Sequence, residues 1–181
     1  MSHRRNWNVL LATICAFGLC FLPAIQSPAL EPRVDPIIDP DRAIFGMELG
    51  SSTGSVSNQF GKASAAIHFY QKQLALVYRD DFAFRFAQDK LVGVSVGRPV
   101  LDSRLFPGIP LYRIDRIDWR LSNGITNGME MGEVKRILGL RLYKEPIGPR
   151  HYFLTEKSRV DLEFDPASKV YSVLVSPRPR D

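Results

Sequence analysis

The segment Gly50 to Ser64, GSSTGSVSNQFGKAS, concentrates glycines and hydroxyl groups and carries a Gly-Lys pair near its end. That composition raises one chemistry at once: phosphate binding by a glycine-rich loop whose backbone N–H groups wrap the anion. The spacing excludes it. Counting back from Gly61-Lys62, the first glycine of a Walker-type loop would fall on Val56, and Ala63 stands where a magnesium-binding hydroxyl is required. The G-x-G-x-x-G pattern of dinucleotide-binding folds is also absent.

Other chemistries fail on similar grounds. Gly54-Ser55-Val56-Ser57 does not complete a nucleophile elbow, and no S-x-x-K occurs in the chain. Beyond the N-terminal segment only two histidines remain, His68 and His151, without the paired spacing of a metal site. Asp80-Asp81 could serve acid–base catalysis, but the pair falls between two predicted strands and reads as a hairpin turn. The sequence therefore nominates no catalytic residue, no cofactor site and no metal site.

A duplication explains the glycines better. Displacing the chain by 78 residues lays Gly50–Phe86 on Gly128–Phe164 without gaps. Gly50, Gly54, Val56, Gly61, Leu76 and Phe86 then coincide with Gly128, Gly132, Val134, Gly139, Leu154 and Phe164. In GMEMGEVKRILG, the positions Met131, Val134, Ile137 and Leu138 mark one face of a short helix, ended by Gly139. In the first copy Ser52 or Thr53 supplies the helix cap. Strands follow each helix: QLALVY, FAFRF and LVGVSV in the first copy, HYFLTE, RVDLEF and VYSVLVS in the second. The predicted fold is α+β, a tandem repeat of a short helix and a three- or four-stranded antiparallel sheet. The copies span 42–97 and 125–176. A connector, 98–124, contains a loop bounded by Pro107, Gly108 and Pro110, then a strand on which Ile117, Trp119 and Leu121 alternate, free to join either sheet edge.

The chain is 181 residues long with formal net charge +5. Residues 1–29 read as a secretory signal: Arg4 and Arg5, an uncharged run from Val9 to Leu22, and small residues around Ala29. Both cysteines, Cys15 and Cys20, lie within it, and Leu19 before Cys20 does not suit lipidation. Removing this segment leaves 22 basic and 19 acidic residues, a mild +3 that argues against a nucleic-acid partner. Prolines recur through 30–41, predicting an extended tether with the folded part starting near Arg42. Residues 177–181 form a basic tail.

The spacing "glycine, five residues, valine, three residues, bulky apolar, glycine", with a later Phe and Lys separated by three residues in the first copy and four in the second, resembles the BamE/SmpA/OmlA domains and the related β-lactamase-inhibitor-protein-like superfamily. Gly50, Val56, Phe60, Gly61, Phe86 and Lys90 carry it in the first copy. Gly128, Val134, Leu138, Gly139, Phe164 and Lys169 carry it in the second. The resemblance implies an exported, non-enzymatic module that works through protein contacts. The BamE branch implies an outer-membrane assembly factor. The inhibitor branch implies a protein that grips a secreted or periplasmic enzyme such as a β-lactamase. Two copies and the absence of a lipidation site separate this chain from the first branch, and the absence of mature cysteines separates it from the second.

The expected partner is thus a protein of the cell envelope, met in the periplasm, with membrane association only through that partner or an uncleaved N-terminus. Strand alternation places Leu74, Leu76, Phe82, Phe84 and Phe86 towards the helices. It leaves Ala75, Val77, Ala83 and Arg85, and Phe153, Thr155, Asp161 and Glu163 in the second copy, on the opposite face. The candidate partner-binding residues are Phe153 as anchor, Arg85, Val77, Thr155 and, from the connector, Trp119.

Overall fold

The computed structural model describes residues 35–70, 72–100, 118–146 and 148–179. The expected signal segment, the loop at Pro107–Pro110, Ile117 and the end of the tail lie outside these residues. In chain order the elements are β1 (Ile37–Asp39), β2 (Ala43–Ile44), β3 (Met47–Glu48), α1 (Thr53–Phe60), β4 (Ala65–Phe69), β5 (Gln73–Arg79), β6 (Phe82–Ala87) and β7 (Lys90–Val96). After these come β8 (Arg120–Leu121), α2 (Met131–Leu138), β9 (Tyr143–Lys144), β10 (Arg150–Leu154), β11 (Ser158–Phe164) and β12 (Val170–Pro177). The fold is mostly β, with two short helices and two sheets, and belongs to the α+β class at that level.

Both helices begin and end as their sequences dictate. Ser52 caps α1, its Oγ accepting from the Ser55 N–H at 3.2 Å. A capping box between Glu130 and Glu133 starts α2. Gly61 and Gly139 end them at φ of 78° and 58°, where a side chain would be strained. Val56 and Phe60, and Val134 and Leu138, are the buried positions. Ile137, expected on the core face, is instead exposed, because an eight-residue helix of two turns buries only its i, i+4 pair here.

The strands β4-β5-β6-β7-β12-β11-β10-β9 form one antiparallel sheet in that order. The helix residues just named share a single cluster with Phe82, Phe84 and Phe86 of β6, Leu91, Val94 and Val96 of β7, and Val160, Leu162 and Phe164 of β11. Both helices therefore cover the same face. Phe45, Phe60, Tyr78, Phe82 and Phe84 meet there edge to face, with ring centroids as close as 4.8 Å. Each such buried ring is worth about 1.5–3 kcal/mol of transfer free energy.

The smaller sheet, β3-β2-β1-β8, corrects two expectations. The tether predicted for 30–41 gives way to folded chain by Ile37. Proline excludes helix but tolerates extended backbone, and here Pro36 and Pro40 flank a three-residue strand that needs no N–H from either. Ile38 is wholly buried. The connector strand β8 pairs in parallel with β1 and joins neither edge of the large sheet. Its alternation is as read: Trp119 and Leu121 are buried, Arg120 exposed.

Candidate functional site

In β11, alternation buries Val160, Leu162 and Phe164 under the helices and turns Arg159, Asp161 and Glu163 to the open face. Register places Arg150 opposite Glu163, Tyr152 opposite Asp161, and Leu154 opposite Arg159. Tyr143 of β9 lies beside Tyr152. This face carries two carboxylates that are almost completely buried, Asp161 and Glu163.

Each is held by cations. Glu163 Oε1 accepts from Arg98 Nη1 and from Arg150 Nε, both at 2.8 Å. Its other oxygen accepts from the Tyr171 hydroxyl at 2.6 Å. That hydrogen bond to a carboxylate, together with burial and the negative charge, pushes the Tyr171 phenol up to about 12. Asp161 receives Arg159 Nε at 3.0 Å and Arg159 Nη2 at 2.7 Å, and the same guanidinium reaches Glu145. Arg159 is locked in the charged state by these carboxylates. Its Cζ sits 4.0 Å from the Tyr152 ring centroid, and Tyr152 stacks on Tyr143 at 5.3 Å.

Tyr143, Leu154 and Tyr171 on this face are among the few large apolar side chains left exposed. Both buried carboxylates are already saturated by donors, so the face presents fixed charges and rings. His151 turns away, its ring edge against Phe164 at 5.2 Å. Burial, and then the charges of Lys144 and Lys135, lower its pKa. His68 lies far along the sheet order, on edge strand β4. Among the described residues no group of three metal-ligating side chains converges.

The residues nominated from sequence are not brought together. Phe153 is buried in the core with Val160 and cannot be an exposed anchor. Its face was inverted for a definable reason. Leu76 lies opposite Phe84, but Leu162, 78 residues on from Phe84, lies opposite His151 and not Leu154. The hairpin β10–β11 runs on past Val160 to Ser158, and β5 carries a bulge at Tyr78 that β10 lacks. The net displacement is odd, and an odd displacement exchanges the two faces.

Thr155 belongs to the turn of that hairpin, where its hydroxyl donates to Asp41 at 2.6 Å. Val77 does lie opposite the helices but is wholly buried in a second cluster with Ala75 and Ala83, packed by Ala65, Ile67 and Val100. Trp119 is a core residue. Arg85 alone keeps a surface role, lining a cavity on the open face of the first half. Asp161 and Glu163 sit on the face predicted for them. Arg98, Arg150, Tyr152, Arg159 and Tyr171 were missed. The alternation in RVDLEF already pointed Arg159 outward, whereas the pairing of Arg98 with Glu163 leaves no local trace.

No family model matches the chain, and no curated protein does. Solved structures are similar in outline. They include an extracellular protein containing an SCP domain from Bacillus anthracis (13% identity, TM-score 0.48, 77% of this chain and 47% of that one). A cysteine-rich secretory protein from Staphylococcus aureus follows (12%, 0.45, 82% and 49%). A DUF4309 family protein from Bacillus subtilis is also similar (10%, 0.39, 71% and 79%). This chain spans about half the length of the first two. At these identities and TM-scores the likeness carries no argument about activity, substrate or partner.

Proposed function

We propose that this chain is an exported, non-enzymatic module that binds a protein partner of the cell envelope through the open face of β9–β12. The carrying observation is the composition and rigidity of that face: Tyr143, Leu154 and Tyr171 exposed around arginines already fixed by Asp161 and Glu163. Tyrosine and arginine are the residues enriched where proteins dock, and pre-fixed side chains lose little entropy on binding. Export rests on the leader-like residues 1–29, and the envelope setting on the BamE-like spacing.

The reading includes an origin by duplication. The helices α1 and α2 are each eight residues long and start 78 residues apart. Gly50 N–H donates to Leu91 and Leu91 N–H to Ser51. Gly128 and Val170 make the same exchange, with Met129 in the place of Ser51. Equal backbone bonds at equal spacing, beside glycines at φ of 93° and 80°, support two copies of one unit.

The test is site-specific photo-crosslinking in producing cells, with the reactive side chain at Tyr152 or, as control, at fully exposed Leu140 next to α2. The expected result is one envelope protein captured from position 152 and lost when Arg150 is changed to Glu. Equal capture from both positions, or none from 152, overturns the assignment.

A further inference from the structure

We propose that the cavity where β4–β7 meet the end of β12 binds a small amphipathic monocarboxylate, with Arg85 as the group that takes its carboxylate. The cavity has a volume of about 220 Å³ and is walled by Phe69, Gln73, Arg85, Val92, Ser176 and Pro177, among others. It reaches the end of β12, where Ser176 pairs with Arg159 of the arginine–carboxylate face, but its charge comes from Arg85 and it does not depend on that face's role.

The sequence builds this hollow through a bulge. Arg85 pairs with Gly93 and Phe86 with Leu91, leaving Val92 unpaired in β7. A bulge redirects the extra side chain and raises local twist. Next to it Gly93 lets the Val175 carbonyl pack where a Cβ would stand, which brings Val175 and Ser176 of β12 close against β7 as one wall of the cavity.

Arg85 is the only charged residue in the lining, and it has no carboxylate partner among the described residues. A half-buried guanidinium with free donors is matched by a carboxylate, which it can grip with two parallel N–H···O bonds. Gln73 and Ser176 add polar groups beside it. One positive charge suits a monoanion; a phosphate dianion would find no second cation in the lining. The remaining walls, Phe69, Val92 and Pro177, call for an apolar ring or chain. A dry cavity of about 150 Å³ takes a benzene ring, so this one has room for about nine non-hydrogen atoms.

Heptanoate and benzoate are the matching probes, with heptanamide and benzamide as their uncharged counterparts. Titration of the purified protein, followed by amide NMR, should give saturable shifts at Val92, Gly93 and Ser176 with the acids. The amides should bind about ten-fold more weakly, a difference of about 1.4 kcal/mol. Arg85→Gln should weaken the acids by a similar factor while leaving thermal unfolding near that of the parent. Arg85→Lys should restore part of the affinity. Ala87→Leu, which fills the cavity without touching the charge, should weaken acids and amides together. Acids and amides binding alike, Arg85→Gln leaving acid affinity unchanged, or no saturable shift at all would each overturn the proposal.

Discussion

Arg98 and Glu163 lie 65 residues apart in the chain and meet at 2.8 Å across the junction of β7 and β12. The guanidinium comes from the residues just after β7, the carboxylate from β11, so one ion pair ties the two halves of the large sheet. Arg150 reaches the same oxygen from β10 and Tyr171 the other from β12. Glu163 is thus the common acceptor for three donors, and the consequences of removing each differ.

Glu163→Ala should lower stability by about 1.5–3 kcal/mol, the usual range for losing hydrogen bonds to a charged group. Arg98 and Arg150 are partly exposed and regain water when the carboxylate goes, which keeps the loss below that of a fully buried pair. Arg98→Ala alone should cost about 0.5–1 kcal/mol, because Arg150 still neutralises Glu163. Urea unfolding of the single and double variants measures the coupling. An Arg98→Ala loss as large as that of Glu163→Ala would contradict the shared-acceptor geometry.

The same network fixes a pH dependence. Tyr171 donates to a carboxylate, so its folded-state pKa of about 12 lies above the ordinary value near 10. Between these values the unfolded chain has lost the phenolic proton and the folded chain keeps it. Stability from this bond is therefore complete below pH 10 and disappears as pH rises towards 12. Ultraviolet titration should show Tyr171 and the buried Tyr78 ionising late, and Glu163→Gln should bring Tyr171 alone back towards the other tyrosines.

A third expectation concerns the junction itself, which rests on only three pairs: Val94 with Val175, Ser95 with Leu174, and Val96 with Val173. Glycines bracket it. A Cβ at Gly93 would overlap the backbone carbonyl of Val175, and one at Gly97 that of Tyr171. Gly97 also has φ of 83°, so an alanine there meets both overlap and a left-handed backbone. Gly97→Ala should cost about 3 kcal/mol or more and Gly93→Ala about 2–3 kcal/mol, through forced separation of backbones. Gly124→Ala is the control: its φ is 94° but nothing lies within 4 Å of the added carbon, and the cost should stay near 1 kcal/mol. Equal losses at Gly97 and Gly124, with none at Gly93, whose φ is not positive, would mean that conformation alone, without the close crossing, explains them.

Those glycines show what a sequence of this kind discloses. Helix limits were legible because Ser52, Gly61 and Gly139 act on their own neighbours. The inward residues of β6 and β11 were legible because a period of two is local. The face of β10 was not, since a bulge at Tyr78 in β5 and the longer hairpin at Thr155–Ser158 change parity without changing composition. Glu163 could be placed on its face, but its partners could not be named, because Arg98 and Tyr171 reach it through strand order. Proline spacing around Ile38 described the local backbone correctly, as extended, and left its burial unseen.

That last point yields the strongest test of the N-terminal boundary. Ile38 has no exposed surface, and β1 pairs with β2 on one side and with β8 on the other. Past β1, the Pro40 carbonyl accepts from Ser158 Oγ, while the Asp41 carboxylate receives Thr155 Oγ1 at 2.6 Å and the Lys157 N–H at 2.8 Å. Residues 36–41 therefore close one end of the core and cap the β10–β11 turn together. Ile38→Ala should cost about 2–5 kcal/mol, the range for emptying a core site. Asp41→Ala, which removes two hydrogen bonds at a turn, should cost about 1–2 kcal/mol and speed amide exchange at Lys157. A chain beginning at Asp35 should unfold in one cooperative step, whereas one beginning at Arg42 loses β1 and with it the cover of Ile44 and Leu121. Cooperative unfolding of the shorter chain at the same urea midpoint would show that the strand is dispensable and that the fold starts where proline composition alone would put it.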